Sequence, residues 1–212
     1  MTPTIALFLH HPKCSVQSLN GIVKALTPHY KFKIFTKHEL EDGFFDDVDM
    51  VCFPGGIGDS DSYDYLLKHN GQTIRNYIAN GGRYLGICMG AYWADSNYFG
   101  LLRNIQVEQY IKQPGTDTKR PHAKYMPIDW LGNSTNMYFY DGPTFIGDDF
   151  ETVSTYATGY PMAIIQDRIG LIGCHPEADL HWYESYSWMK KHWSGNIQSD
   201  ILLEFVDELM RK

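Results

Sequence analysis

The feature that most constrains the fold of this chain is a regular alternation of short apolar segments with helical segments in its first half. Apolar runs bounded by polar residues predict buried strands at Thr4–His10, Tyr30–Thr36, Asp49–Phe53 and Arg83–Ile87. Apolar residues at helical spacing predict helices at Val16–Leu26, Gly71–Asn80 and Met89–Ser96. Strands and helices that alternate in this way build a mostly parallel, doubly wound α/β sheet flanked by helices.

The rhythm changes after about Leu101, where Gly- and Pro-containing turns separate short segments and predict an antiparallel, strand-rich extension. The predicted strands are Thr135–Tyr140, Thr152–Ala157, Met162–Gln166 and Ile169–Cys174. An amphipathic helix that contains Ile201 and Phe205 closes the chain. We find no repeat and no linker, so the 212 residues are expected to form a single domain, residues 1–212.

Composition excludes several classes of function. The net charge is -7 and the 18 basic residues are scattered, which argues against a nucleic-acid partner. No apolar stretch approaches the roughly 18 residues that a membrane-spanning helix needs. We identify no signal peptide, and the 4 cysteines are too few for a disulfide scaffold. These features predict a cytoplasmic protein with reduced thiols and no membrane partner.

The segment Gly86-Ile87-Cys88-Met89-Gly90 has the pattern of a nucleophile elbow, in which a strand turns sharply into a helix. The glycines would remove side chains that collide as the strand and helix approach. At a helix N-terminus, unpaired N–H groups favour the thiolate form of Cys88. The backbone N–H of Met89 would then point at a developing oxyanion. The alternative is a buried cysteine at an ordinary turn.

Pro54-Gly55-Gly56 follows the third predicted strand, as Cys88 follows the fourth and His10 ends the first. Ligand sites of parallel sheets lie beyond the carboxyl ends of the strands, so these residues are expected to converge on one crevice. Glycine lets a backbone N–H approach a substrate closely. We therefore predict the amides of Gly55 and Gly56 as further oxyanion donors. A simple turn is the alternative interpretation.

The second motif, His175-Pro176-Glu177, supplies a base and a carboxylate two residues apart. In an extended segment these two side chains point the same way, and Pro176 favours an extended conformation at His175. Glu177 would orient the imidazole while its other nitrogen faces Cys88. A surface turn with two solvated polar residues is the alternative.

The remaining candidates are weaker. Cys52 and Cys174 are expected in the core. His10 and Cys14 share one loop, but a metal site would need a second cluster of ligands elsewhere in the chain. We therefore predict no metal and no cofactor, and we expect His10 or Cys14 to line the crevice.

At this point the residues resemble a known family. The elbow GICMG, the upstream PGG and the terminal HPE resemble class I glutamine amidotransferase-like domains. Longer strings, such as GQTIRNYIANGGRYLGICMGAYWA, YFYDGPTF and GLIGCHPEAD, resemble the N-terminal domain of eukaryotic-type biotin–protein ligases. The resemblance covers about Ile5 to Asp179. It implies a flavodoxin-like fold. Because this sequence runs only to Lys212, we expect no ligase catalytic domain and no biotin transfer.

The resemblance implies Cys88 as nucleophile, with His175 and Glu177 completing a catalytic triad and Gly55 and Gly56 in the oxyanion loop. Tyr92, within the elbow string, is a candidate substrate contact. Asp59 and Asp61 follow the PGG at a longer spacing than the family pattern, so they are either substrate contacts or a helix N-cap. Arg103, Arg120 and Lys124 are candidates for binding a substrate carboxylate.

Three functions are compatible with these residues. The leading one is a cysteine hydrolase that cleaves a small-molecule, glutamine-like carboxamide through a thioester and supplies ammonia to a separate synthetase or ligase chain. The second is a peptidase or another amide hydrolase on the same fold. The third is a non-catalytic regulatory module, against which the intact Cys-His-Glu set argues. Aromatic residues between Trp182 and Trp193 are expected to pack in the core, wall the pocket or form an interface.

Overall fold

The computed structural model describes residues 2–9, 16–40, 43–56 and 71–212. The strands are β1 Thr4–Phe8, β2 Lys31–Phe35, β3 Met50–Phe53, β4 Arg83–Ile87, β5 Ile105–Gln109, β6 Lys124–Trp130, β7 Asn133–Phe139, β8 Pro143–Gly147, β9 Glu151–Tyr156, β10 Pro161–Gln166 and β11 Ile169–Ile172. The helices are α1 Val16–Leu26, α2 (residues 71–79), α3 Met89–Tyr92, α4 Leu180–Tyr183, α5 Ser187–Lys190 and α6 Asn196–Arg211. Short 3₁₀ helices cover Lys37–Glu39 and Tyr110–Lys112.

Within these residues, the main sheet has nine strands in the order β2-β1-β3-β4-β11-β10-β9-β6-β7. The first five strands of that order run parallel, and each later pair is antiparallel. β5 and β8 form a separate antiparallel pair. The predicted α/β fold is therefore confirmed, including the antiparallel extension after the elbow. β11 joins the two halves, because it pairs with β4 on one side and β10 on the other.

Apolar side chains alternate between the two faces of the parallel strands, as the period of two requires. Ile5 and Leu7 of β1 belong to a core that includes residues of α1 and α6. Ala6 and Phe8 point to the opposite face, where Phe8 joins an aromatic cluster with Phe53 and other rings. Burial on both faces explains why the parallel strands read as continuous apolar runs.

The predicted bounds of α1 and β4 match the structure, whereas most other elements differ at one or both ends. The predicted helix Met89–Ser96 ends at Tyr92. The Asp95 carboxylate accepts hydrogen bonds from the backbone N–H groups of Asn97 and Val107, which competes with a continued helix. The predicted strand Ile169–Cys174 ends at Ile172, and the chain then turns. Of the helices in the described ranges, none is both long and apolar enough for a membrane crossing.

Candidate active site

Three carboxyl ends of parallel strands meet where the sequence predicts a crevice. β3 leads to Gly55, β4 leads to Cys88, and β11 leads to His175. The strands lie in the order β3-β4-β11, so these residues occupy neighbouring positions at one sheet edge. This edge is where ligands bind in open α/β sheets.

Cys88 lies on a strained turn directly between β4 and α3. Its backbone has φ 51° and ψ -106°, in a region that non-glycine residues rarely occupy. The turn is held because the Cys88 N–H donates to the carbonyl oxygen of Ile172 at 2.8 Å. The side chain is 7% exposed, and its Sγ lies 3.5 Å from the carbonyl oxygen of Tyr140.

The two glycines of the elbow allow the strand and helix to pack closely. A Cβ on Gly86 would lie 2.4 Å from the carbonyl oxygen of Gly90. A Cβ on Gly90 would lie 1.8 Å from the carbonyl oxygen of Phe53 in β3. Both distances are far below van der Waals contact, so the predicted steric role of these glycines is confirmed.

His175 and Glu177 are buried and paired. The imidazole Nδ1 lies 2.8 Å from Glu177 Oε1, and the side chains are 6% and 0% exposed. The predicted pairing is confirmed, but its predicted cause is wrong. The segment is not extended through Glu177, because Ala178 N–H donates back to the His175 carbonyl oxygen and closes a turn. A backbone hydrogen bond of 2.8 Å from His175 N–H to Tyr138 fixes the start of that turn.

The charge state of His175 follows from its neighbours. Burial by itself lowers the pKa of His175, because it disfavours the imidazolium. The nearby Glu177 carboxylate and Cys88 side chain outweigh burial and raise the pKa of His175 to about 10. The imidazole is therefore protonated at neutral pH, with Nδ1 donating to Glu177 and Nε2 left for Cys88 or a ligand.

Gly55 packs directly against the imidazole, but its amide does not serve the predicted purpose. A Cβ at this position would lie 2.5 Å from His175 Cε1, so only glycine fits without displacing the ring. The Gly55 N–H donates to Ser18 Oγ at 3.1 Å. It is therefore not available as the oxyanion donor that the sequence predicted. Gly56 is partly exposed beside it, and Met89 is the first residue of α3, where an N–H has no partner within the helix.

Ser18 is a site residue that the sequence analysis missed. It lies in α1 with no exposed surface, and its hydroxyl donates to Glu177 Oε1 at 2.6 Å. The contact joins residues 159 positions apart. The sequence shows only a serine next to the apolar helix positions Leu19 and Ile22. This pattern does not tell whether the serine is buried or exposed.

Tyr92 and the loop before β8 lie next to the nucleophile. The Tyr92 hydroxyl donates to the carbonyl oxygen of Asp141 at 3.1 Å, and burial raises the pKa of Tyr92 well above its usual value. Asp141 adopts φ 54°, and the following Gly142 packs so closely on Gly173 that a Cβ would lie 1.8 Å from its carbonyl oxygen. The hydroxyl of Tyr92 thus holds this loop near Cys88.

Aromatic residues extend the site outward from His175. The Trp182 and Tyr138 rings lie 5.3 Å and 5.8 Å from the imidazole, and Tyr183 packs on Tyr138 in the core. Tyr186 and Trp188 are 49% and 46% exposed. The segment after His175 is therefore part core and part wall of the site.

Several predicted residues are not brought to the site. Arg103 pairs with Asp167 and Asp149 on the surface. The predictions for His10, Cys14, Asp59 and Asp61 fall outside the described residues. Cys52 and Cys174 are buried core thiols, as predicted.

Over the described part of the chain, no three His, Cys, Asp or Glu side chains gather as metal ligands. A cavity of about 590 Å³ lies at the amino ends of the parallel strands, where Asp49 directly precedes β3 and Arg83 begins β4. It is remote from Cys88 and takes no part in the site.

Sequence comparisons find two proteins or families that are similar to this chain. The family described as "Biotin-protein ligase, N terminal" matches residues 10–105. Imidazole glycerol phosphate synthase subunit HisH from Herpetosiphon aurantiacus is 28% identical over 152 residues, which are 62% of this chain and 70% of that protein.

Solved structures extend the likeness to the whole fold. PurLQS from Thermotoga maritima has a TM-score of 0.69 at 14% identity, covering 99% of this chain and 100% of the other. A glutamine amidotransferase from the same organism has a TM-score of 0.69 at 12% identity, with 100% of both chains covered. At these identities the structures show a shared fold. With the sequence matches, the chain is similar to class I glutamine amidotransferase-like proteins, and its residues 10–105 are similar to the N-terminal domain of biotin–protein ligases.

Proposed function

We propose that this protein is an amidotransferase-type hydrolase that releases ammonia from a glutamine-type carboxamide. The observation that carries the proposal is the placement of a strained elbow cysteine and a buried, carboxylate-paired histidine at the ends of neighbouring strands. Cys88 follows β4 and His175 follows the neighbouring strand β11, and Glu177 holds one ring nitrogen of His175 at 2.8 Å. Glu177 and Cys88 both raise the pKa of His175, to about 10. A nucleophile, an acid and an orienting carboxylate are thus gathered at one sheet edge.

The proposed first half-reaction forms a thioester. The Cys88 sulfur, as a thiolate beside the imidazolium, attacks the carboxamide carbon, and the carbonyl electron pair moves to oxygen. His175 then gives its Nε2 proton to the amide nitrogen as the C–N bond breaks. Ammonia leaves, and the acyl group stays on sulfur.

In the second half-reaction, neutral His175 accepts a proton from water, and the hydroxide attacks the thioester. The C–S bond breaks with return of its electron pair to sulfur, which regenerates the thiolate and the imidazolium and releases the carboxylic acid. Glu177 keeps its ionised form throughout and fixes the ring orientation. The reaction consumes one water and needs no cofactor.

Two backbone amides are proposed to stabilise the oxyanion. Met89 N–H is the first of α3, where the helix dipole favours negative charge. Gly56 N–H follows the glycine whose amide is taken by Ser18. Tyr92 and Asp59 are retained as proposed substrate contacts. For Tyr92 the ring would make the contact, because its hydroxyl is held by Asp141.

We further propose that a separate chain receives the ammonia. The relative HisH is described as a subunit of a synthase, so the corresponding partner of this chain would be a synthetase or ligase polypeptide. Tyr186 and Trp188 are exposed at the outer end of the aromatic segment that follows His175, and we propose them as contacts for that partner.

The test is ammonia release from glutamine by the purified protein, with Cys88→Ala as the catalytic variant and Cys52→Ala as the matched thiol control. We expect release by wild type and Cys52→Ala and none by Cys88→Ala. Release that persists in Cys88→Ala would overturn the nucleophile assignment. If wild type releases no ammonia but an electrophile labels Cys88 selectively, the glutamine assignment is wrong and another amide hydrolase is favoured.

A further inference from the structure

We infer that Ser18 is a positioning residue of this site, whose hydroxyl ties the Glu177 carboxylate to the backbone of the Gly55 loop. The inference rests on the proposed function, because it assigns Ser18 a role in aiming His175. It adds a fourth side chain, from α1, to a site otherwise built from the ends of β3, β4 and β11.

The carboxylate side of the link is direct. Glu177 Oε1 accepts from Ser18 Oγ at 2.6 Å and from His175 Nδ1 at 2.8 Å. The other oxygen, Oε2, is buried and has no hydrogen-bond partner among the described residues. Both donors therefore converge on one oxygen, and the orientation of the carboxylate depends on this pair.

The backbone side of the link fixes the direction of every hydrogen bond. Gly55 N–H donates to Ser18 Oγ at 3.1 Å, so that oxygen acts as an acceptor there. A hydroxyl can donate a single hydrogen bond, and Ser18 donates it to Glu177 Oε1. Hydrogen bonds therefore run from Gly55 N–H to Ser18 and from Ser18 to Glu177, which also accepts a hydrogen bond from His175 Nδ1.

The network closes on itself through packing. Gly55 lies against His175, where a Cβ would be 2.5 Å from Cε1. Gly55, Ser18, Glu177 and His175 thus form a ring of contacts, and all of them are buried. A shift of any member would displace the imidazole relative to Cys88.

Helix α1 provides the rigid support. Gly21 lies on the same face one turn after Ser18, and a Cβ there would lie 2.2 Å from the Glu177 carbonyl oxygen. One turn further, Lys24 Nζ binds Asp179 Oδ2 at 2.6 Å. Three successive positions of one helix face therefore hold the segment that carries Glu177.

Replacing the hydroxyl should affect turnover more than substrate binding. In Ser18→Ala, Glu177 Oε1 and Gly55 N–H each lose a partner in a buried setting. We expect kcat to fall about 10- to 100-fold with KM changed less than threefold. Ser18→Cys fills the same position with a slightly larger atom but replaces a strong donor with a weak one, so we expect a similar loss of turnover.

The experiment compares wild type, Ser18→Ala, Ser18→Cys and the exposed control Asn20→Ala for kcat and KM of ammonia release. It also records the nitrogen and proton resonances of the His175 imidazole and the Gly55 amide. We expect both serine variants, but not Asn20→Ala, to lose turnover and to shift the two sets of resonances. Wild-type turnover in Ser18→Cys would assign the effect to packing and overturn the inference.

Unshifted His175 and Gly55 resonances in Ser18→Ala would also overturn the inference, because a merely structural role leaves them in place. The resonances are measured without substrate. If wild type releases no ammonia, the proposed function fails, while the resonances still decide whether Ser18 positions the pair.

Discussion

Substituting Gly21 with alanine tests how tightly α1 is held on the segment that carries Glu177. In the interior of an ordinary helix this change stabilises a protein by about 1 kcal/mol. Here the new Cβ would lie 2.2 Å from the Glu177 carbonyl oxygen and 3.2 Å from the Glu177 Cβ. The helix or the turn must therefore move by roughly 1 Å, and overpacking of this kind costs about 1–3 kcal/mol.

The steric cost exceeds the propensity gain, so we expect Gly21→Ala to lower the free energy of unfolding by about 1 kcal/mol. A displacement of this size at the carboxylate of the proposed triad is also expected to reduce kcat about 10- to 100-fold. Urea unfolding and ammonia release measure the two effects separately. The exposed Asn20→Ala on the same helix gains propensity without a clash, so it should be slightly more stable and fully active.

The opposite result would refute the reasoning. If Gly21→Ala is about 1 kcal/mol more stable than wild type and keeps its turnover, the helix is not packed on Glu177 as the structure has it. The proposed support of the carboxylate by α1 would then fall with it.

The remaining predictions concern charge and the loop at the nucleophile. Glu177→Gln removes the carboxylate, which together with Cys88 raises the pKa of His175 to about 10, and burial, the largest single influence, then favours the neutral ring. Nitrogen NMR at pH 7.5 should show an imidazolium in wild type and a neutral imidazole in the variant; a charged ring in both would contradict the assignment. The pKa of His175 is raised from 6.5 in the unfolded chain to about 10 in the folded protein, so protonation of His175 stabilises the fold. This stabilisation is complete below pH 6.5 and is lost as the pH rises through about 10. Midpoints of urea unfolding should therefore fall between these pH values more in wild type than in Glu177→Gln. Tyr92→Phe removes the hydrogen bond to Asp141 and should cost about 1 kcal/mol of unfolding free energy with a several-fold loss of turnover; unchanged stability and activity would show that the bond does not hold the loop.

Local pattern was sufficient to predict the elements that form the site. The apolar strand Arg83–Ile87 and the glycines around Cys88 specify a strand–turn–helix elbow, since no bulkier residue fits beside Phe53. The alternation of strands and helices was sufficient to predict the parallel half of the sheet. The pairing of His175 with Glu177 was predicted from a spacing of two, although a turn and not an extended segment produces it.

The parts that could not be predicted depend on contacts distant in sequence. Ser18 meets Glu177 across 159 positions, and nothing in the helical pattern of α1 marks that serine as buried. The same contact takes the Gly55 amide away from its predicted role. The early end of α3 depends on Asp95 reaching Val107, which belongs to β5.

The central claim is that Cys88 is a nucleophile activated by His175. The most direct measurement uses an electrophilic glutamine analogue that carries a chloromethyl ketone in place of the amide, followed by mass spectrometry of the digested protein. We expect one adduct, on Cys88, that forms much more slowly in His175→Ala. Adducts on Cys52 or Cys174 at comparable rates, or equally fast labelling of Cys88 in His175→Ala, would contradict it.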